Sequence, residues 1–100
     1  MVEAIGRNGS LSLSSIVGAT RDHVSCNLGD EAAILNLKNT IYYGLNPVGT
    51  RVWNLVQQSR SVSDIRDALL DEYEVEAAQC ERDLLGLLEQ MKEQGLIEVR

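Results

Sequence analysis

Hydrophobic and polar residues alternate from Val24 to Leu28, apolar residues dominate Ala32–Leu37 and Thr40–Leu45, and from Asn46 onward the apolar residues recur with helical spacing. Alternation is typical of a half-buried strand, and β-branched, aromatic and bulky apolar residues suit a pleated surface. Two short polar turns separate these three segments, so this region is predicted to be a meander of three antiparallel strands. The third strand is at one edge of the sheet if the order in space follows the order in the chain. The predicted strands are Val24–Leu28, Ala32–Leu37 and Thr40–Leu45.

Three helices are predicted after the meander. Asn46 is a favourable N-cap, and Pro47 suits the first helical position because its missing N–H costs nothing there. Ser61 and Asp64 resemble a capping box at the start of the second helix, and Gly95 ends the third helix at a left-handed position. The predicted apolar stripes are Val48, Val52, Leu55 and Val56 in helix 1, with Trp53 on its flank; Val62, Ile65, Ala68 and Leu69 in helix 2; and Ala77, Cys80, Leu84, Leu87, Leu88 and Met91 along Glu76–Gln94.

These elements predict one α+β domain, a three-stranded antiparallel sheet followed by a three-helix winged helix-turn-helix. The 100 residues and 44% hydrophobic content suit a single core. Leu96–Val99 is predicted to be a short final strand. Residues 1–20 are predicted to be flexible or weakly structured, because glycine, asparagine and serine are frequent there; a short strand from Leu11 to Ile16 is an open alternative. The domain is predicted to span residues 21–100, with strands at about 24–45 and helices at about 46–95.

The negative charge argues against a nucleic-acid partner. The net charge is −6 and the isoelectric point is near 4.6, whereas phosphate binding depends on lysine and arginine. A winged helix-turn-helix usually places its third helix in the major groove of DNA, but here that helix is itself negative. A DNA-binding regulator is therefore the weaker alternative. Helix 3 carries Arg82 and Lys92 against Glu76, Glu81, Asp83, Glu89 and Glu93.

No residue pattern indicates catalysis. His23 is the only histidine, and Cys26 and Cys80 are far apart with no CxxC motif, so neither a metal site nor a redox pair is predicted. The sequence contains no GxGxxG, P-loop or HExxH motif. Acidic neighbours such as Asp71 and Glu72 are interpreted as solvated helix faces. We expect a non-enzymatic protein with no cofactor and no metal.

The chain is predicted to be cytoplasmic. Its N-terminus has no lysine-led apolar run, and the apolar stretch from Leu11 to Ala19 is interrupted by serines. Neither a signal peptide nor a membrane span is therefore predicted. The two thiols are expected to be reduced, with a disulfide as the alternative.

The third strand is a candidate binding element. Neither a charged residue nor a proline interrupts Thr40–Leu45, and an open edge of this kind must be capped or used. It is either capped by another part of the chain, such as the first 20 residues, or it binds an extended peptide. A pocket is predicted between this strand and helix 3, and periodicity leaves open which helix residues face it. The predicted peptide-binding residues are Thr40, Ile41, Tyr42, Tyr43, Gly44, Leu45, Cys80, Asp83, Leu84 and Leu87.

Three segments resemble the PqqD-like proteins, and among these the small leader-binding B proteins of lasso-peptide biosynthesis. The segments are ILNLKNTIYYGLNPVGTRVWNLV, SVSDIRDALLDEYEV and DLLGLLEQMKEQGLIE. Such proteins are RiPP recognition elements, in which three strands precede a winged helix-turn-helix. The join YYGLNPVG and the closing helix with Gly95 and Leu96 carry the resemblance as a set, and it covers about Val24 to Glu98.

The resemblance also implies a function. It implies that the leader region of a precursor peptide adds as a strand to the third strand, here Thr40–Leu45, and lies against helix 3. It also implies that the bound peptide is delivered to a leader peptidase, which is a cysteine protease, and then to a cyclase. Because no protease segment with a catalytic cysteine and histidine follows, a stand-alone form is expected. A PqqD-like peptide chaperone for a radical-SAM enzyme is the alternative within this class.

Overall fold

The computed structural model describes residues 11–100, and the predicted fold class is confirmed. A three-stranded antiparallel sheet precedes three helices. The expectation for residues 1–10 lies outside the described residues. The elements are β1 Ile16–Ala19, β2 His23–Leu28, β3 Glu31–Asn36, β4 Ile41–Leu45, α1 Pro47–Val56, β5 Arg60–Ser61, α2 Val62–Glu72, α3 Ala77–Glu93 and β6 Ile97–Val99.

The sheet β2-β3-β4 is the predicted meander. β2 and β3 are joined by a two-residue turn in which Gly29 adopts a φ of 72°, as such a tight turn requires. Ile34 lies opposite Ser25 on β2 and opposite Tyr43 on β4. Opposite residues share a face, so the fully buried Ile34 marks the face that packs on the helices. Among the described strands β4 pairs only with β3, which makes it an edge as predicted.

A second three-stranded sheet, in the order β5-β1-β6, is not anticipated by the sequence pattern. The expectation of weak structure is wrong for Ile16–Ala19, where Val17 is fully buried and lies opposite Arg60 and Val99. β1 has four residues and β5 has two, and neither is long enough to show a periodic pattern. Both partners of β1 also lie far along the chain, so no local turn signal links them to it.

The predicted N-caps of α1 and α2 are confirmed. Asn46 accepts a hydrogen bond through Oδ1 from the Gly49 N–H at 2.8 Å. Ser61 accepts one through Oγ from the Asp64 N–H at 3.1 Å. Each bond satisfies an N–H that has no partner inside its helix. The Asn46 cap matters most for function, because it directs the chain from β4 straight into α1.

The predicted end of the third helix is also confirmed. Gly95 has a φ of 75°, and its N–H donates to the Lys92 carbonyl at 3.1 Å. The N–H of Leu96 donates to the Met91 carbonyl at 2.9 Å. This pair of bonds is the Schellman arrangement, which favours glycine at the left-handed position. It turns the chain out of α3 and into β6, which pairs with β1.

The core lies between the meander and the helices. Trp53 is 2% exposed, so its predicted place on the flank of helix 1 is wrong, and Val48, predicted in the buried stripe, is 42% exposed. α1 packs on both β3 and β1, which widens its buried face beyond one stripe. His23 begins β2 instead of preceding the first strand of the meander, and its ring packs edge-on against Trp53 with centroids 5.0 Å apart.

Within residues 11–100, no helix is both long enough and apolar enough to cross a bilayer.

Candidate peptide-binding groove

A groove of about 690 Å³ runs between the edge of β4 and the side of α3. β4 contributes residues 42–45 to its lining, and α3 contributes residues between Gln79 and Met91. The first turn of α1 and the α2–α3 connection add further residues. Most of the lining side chains are apolar, so the groove suits the apolar side chains of a ligand such as a peptide.

The pairing of the meander determines which backbone groups of β4 face the open edge. Hydrogen-bonded pairs alternate along an antiparallel ladder, and the residues that close the tight β2–β3 turn form such a pair. β3 therefore bonds to β4 through Ile34 and the residues two places away, and Tyr43 opposite Ile34 bonds back to β3. Tyr42 and Gly44 consequently present their N–H and C=O groups outward.

The structure brings eight of the ten predicted peptide-binding residues to the groove. Thr40 and Ile41 are the two that do not line it. Thr40 lies in the turn before β4 with a φ of 57°, and its hydroxyl donates to the Asn39 carbonyl at 2.6 Å. The eight residues that line the groove are Tyr42, Tyr43, Gly44, Leu45, Cys80, Asp83, Leu84 and Leu87.

The predicted residues of α3 differ in how deeply they are buried. Leu84 is 3% exposed and Cys80 is 8% exposed, so both belong to the core as well as to the groove wall. Leu87 is half-buried and Asp83 is exposed. Periodicity leaves open which residues of the third helix face the groove. In the structure, Leu84 and Cys80 contribute to both the core and the groove wall, whereas Leu87 and Asp83 face outward into the groove.

Several lining residues are missing from the sequence-based set. Val48 and Val75 are 42% and 50% exposed, and both line the groove together with Tyr73. Gln79 and Gln90 line it on the α3 side. The sequence could have indicated Val75, because it is an apolar residue in a connection between helices, where neither helical nor strand periodicity calls for an apolar side chain. No comparable signal marks the glutamines, which read as ordinary solvated positions.

Asp83 is the one charged residue among the described residues that line the groove. Gln79 donates through Nε2 to both of its carboxylate oxygens, at 3.0 Å each. Burial raises the pKa of the neighbouring Cys80 thiol, an effect that Arg66 opposes. The charges of Asp83 and Glu81 raise it further. The thiol is therefore protonated near neutral pH, and a protonated thiol is a poor nucleophile.

Two ion pairs join the helices that surround the groove. Arg51 of α1 binds Glu72 of α2 through three hydrogen bonds, the shortest 2.7 Å. Arg66 of α2 binds Glu81 of α3 at 2.9 Å. The hydrogen bond from Arg51 holds the pKa of the Glu72 carboxyl below its usual range. The first pair is exposed and the second is partly buried. Solvent-accessible pairs contribute little stability, but together these two link α2 to both of its neighbours.

Comparison with known proteins gives one family and two solved structures. Residues 31–97 match the family model described as Coenzyme PQQ synthesis protein D (PqqD). A structure described as TbiB1 in complex with the TbiA(beta) leader peptide is 33% identical, with 81% of this chain and 94% of that chain covered and a TM-score of 0.78. Among curated proteins none matches the chain.

The second solved structure is described as lasso peptide synthetase B1 complexed with the leader peptide. It is 23% identical, the match covers 82% of this chain and 96% of that chain, and the TM-score is 0.74. At this identity the likeness demonstrates the shared fold. Each match covers almost the whole of the other chain, so the similarity extends over both the meander and the helices.

Proposed function

Because the chain belongs to the PqqD family, we propose that it is a RiPP recognition element of lasso-peptide biosynthesis, which binds the leader region of a ribosomally made precursor peptide. The leader adds as a strand to the edge of β4 and lies against α3. One observation carries this proposal: the open edge of the meander and the apolar groove coincide, because residues 42–45 belong to both. A strand added at β4 therefore enters the groove without any rearrangement of the sheet.

The two solved relatives support the ligand class. Each is described with a leader peptide bound, and one of them is 33% identical over 94% of its chain. β-augmentation combines backbone bonds, which any sequence can make, with pockets for alternate side chains, which select one sequence. The present chain has both parts, with Tyr42 and Gly44 offering the backbone bonds and the groove offering the pockets.

The free energies indicate that the groove decides the affinity. About four ladder bonds at roughly 1 kcal/mol net each do no more than offset the ordering of a similar number of peptide residues at roughly 1–2 kcal/mol apiece. Burial of about 250 Å² of apolar peptide surface adds roughly 6 kcal/mol. The exposed valines Val48 and Val75, together with Leu87, provide apolar surface for this contact.

The role we propose is delivery and not chemistry. The bound leader is handed to a leader peptidase, a cysteine protease, and then to a cyclase. The groove itself has one thiol, Cys80, whose raised pKa keeps it protonated. A nucleophilic cysteine needs a lowered pKa, so the properties of Cys80 support a non-catalytic binding protein.

Family membership keeps one alternative in the same class. A PqqD-like chaperone that presents a peptide to a radical-SAM enzyme uses the same edge and the same groove. The two functions differ in the precursor peptide and in the enzyme encoded beside the gene, which separates them directly. Two matches support the lasso assignment: the 33% identity to a protein described as TbiB1 in complex with its TbiA(beta) leader peptide, and the fold shared with a protein described as lasso peptide synthetase B1.

The experiment is a fluorescence-polarisation titration of the full chain with the labelled leader peptide of the precursor gene nearest its own. We expect a Kd in the micromolar range or tighter, no binding of a scrambled leader, and no salt-dependent binding of duplex DNA. Tight, salt-dependent DNA binding would support the regulator alternative instead. Absence of leader binding would contradict the proposed function.

A further inference from the structure

The charge distribution of the groove is strongly uneven. Its described lining contains aromatic, aliphatic and neutral polar residues, and a single acidic side chain, Asp83. The chain as a whole carries 15 acidic residues and nine basic ones, yet among residues 11–100 only Asp83 brings a charged side chain to the groove. A ligand in the groove therefore meets one negative point on an otherwise neutral wall.

Among the described residues, the carboxylate of Asp83 is held by hydrogen bonds and not by an ion pair. Gln79 donates to both oxygens at 3.0 Å, and Arg82 donates through Nη2 to Oε1 of Gln79 at 3.0 Å. Among residues 11–100 Asp83 forms no ion pair, whereas the interhelical acids Glu72 and Glu81 each bind an arginine. A fixed carboxylate without a cation is suited to a charged hydrogen-bond donor on the ligand.

We propose that Asp83 selects leaders that carry a lysine or arginine at one groove-facing position; this inference rests on the proposed function. The favoured segment is extended, and its apolar side chains enter the groove at every second residue on the same face as the basic residue. The aliphatic stem of that residue packs along apolar surface near Leu87, and its charged end reaches Asp83. Docking of the peptide shields the pair from water, which strengthens it relative to an exposed ion pair.

The substitution Asp83→Asn tests the charge alone. Asparagine keeps an oxygen that accepts from Gln79, so the local geometry is preserved while the charge is removed. Asp71→Asn is the matched control, because Asp71 is exposed on α2, does not line the groove and changes the net charge equally. We expect Asp83→Asn to weaken leader binding about three- to tenfold at low salt and Asp71→Asn to leave it unchanged.

Peptide variants identify the partner of Asp83. Each lysine and arginine of the leader is replaced singly by glutamine, and every peptide is titrated against the wild-type protein and against Asp83→Asn. One replacement is expected to weaken binding to the wild-type protein but not to Asp83→Asn. The effects of the peptide and protein substitutions are then non-additive, as expected for two residues in direct contact. A glutamate at that peptide position is expected to bind Asp83→Lys better than it binds the wild type.

Three results would overturn the inference and leave the proposed function intact: unchanged leader affinity of Asp83→Asn, additive effects for every peptide variant, or tight binding of a leader that lacks a basic residue in its bound segment. Failure of the wild-type protein to bind any leader would overturn both. Thermal unfolding of each variant confirms that it is folded.

Discussion

Tyr43 and Gly44 are consecutive residues of β4, but their backbone N–H groups point in opposite directions. Tyr43 lies opposite Ile34 and bonds to β3, whereas the N–H of Gly44 faces the groove. Substitution of one therefore damages the sheet, and substitution of the other damages only the edge that is open to a ligand. This alternation of the antiparallel ladder separates folding from binding at neighbouring positions.

The substitution Gly44→Pro is expected to abolish leader binding in a folded protein. Proline removes the outward N–H and is tolerated on edge strands, and a Cβ at Gly44 would meet no atom within 4 Å. Leader titration by fluorescence polarisation and thermal unfolding by circular dichroism measure the two properties separately.

Ser25→Pro is the matched control for this substitution. Ser25 lies on β2, at the other edge of the same sheet, and its N–H also points away from β3. We expect this variant to bind the leader normally. Loss of binding in Ser25→Pro but not in Gly44→Pro would place the peptide on the β2 edge and contradict the proposed binding to β4.

The exposed apolar residue Val48 is expected to contribute directly to affinity. Its side chain lines the groove and is 42% exposed, so Val48→Ser removes apolar surface that the leader would bury, at a cost of about 1 kcal/mol or roughly fivefold in Kd. Val24→Ser is the control, because Val24 is 56% exposed on β2 and does not line the groove. Equal leader affinities for the two variants would argue against a role for α1 in the site.

Leu84 and Leu87 lie one turn apart on α3 and should separate stability from binding. Leu84 is 3% exposed, and Leu84→Ala is expected to lower the free energy of unfolding by about 2–5 kcal/mol. Leu87 is half-buried, so Leu87→Ala is expected to weaken leader binding with a smaller effect on stability. Urea denaturation and leader titration of both variants test this. A larger stability loss in Leu87→Ala would show that the core lies on the other side of the helix.

The ion pair between Arg51 and Glu72 predicts a dependence of stability on pH. The pKa of Glu72 is lowered in the folded protein, so the pair stabilises the fold above the usual carboxyl pKa of about 4.3, and this contribution is lost as the pH falls through the lowered value. The difference in Tm between the wild type and Arg51→Gln is therefore expected to be present near pH 7 and to be lost in acid, as the pH falls through the lowered pKa of Glu72.

Arg21→Gln is the control for the pH experiment. Arg21 is exposed and forms no ion pair among the described residues. Its replacement changes the net charge as Arg51→Gln does, so a shared effect on Tm would be an effect of total charge. A difference between wild type and Arg51→Gln that persists in acid would contradict the assignment of the pH dependence to Glu72.

The parts of the fold that the sequence predicts are those with a local cause. A two-residue turn, the Asn46 cap and the glycine at position 95 each depend on residues within a few positions of one another, and all are present in the structure. The edge position of β4 follows in the same way, since the order of the meander is the order of the chain.

The features that the sequence does not predict depend on contacts between distant residues. β1 is paired with β5 and β6, and neither short strand has a pattern of its own. Trp53 is buried because α1 packs against both β1 and β3. Val75 reaches the groove because the α2–α3 connection lies beside it. In each case the position of the residue or strand depends on tertiary packing, which the local pattern of hydrophobic residues does not predict.

The most direct measurement is amide hydrogen exchange of the labelled protein with and without saturating leader peptide. If the leader adds as a strand to β4, exchange of the Tyr42 and Gly44 amides slows by about tenfold or more, while the outward amides of Ser25 and Asn27 on β2 are unchanged. Tyr43, already bonded to β3, changes little. Unchanged exchange at Tyr42 and Gly44, or slowed exchange at Ser25 and Asn27 instead, would contradict the account.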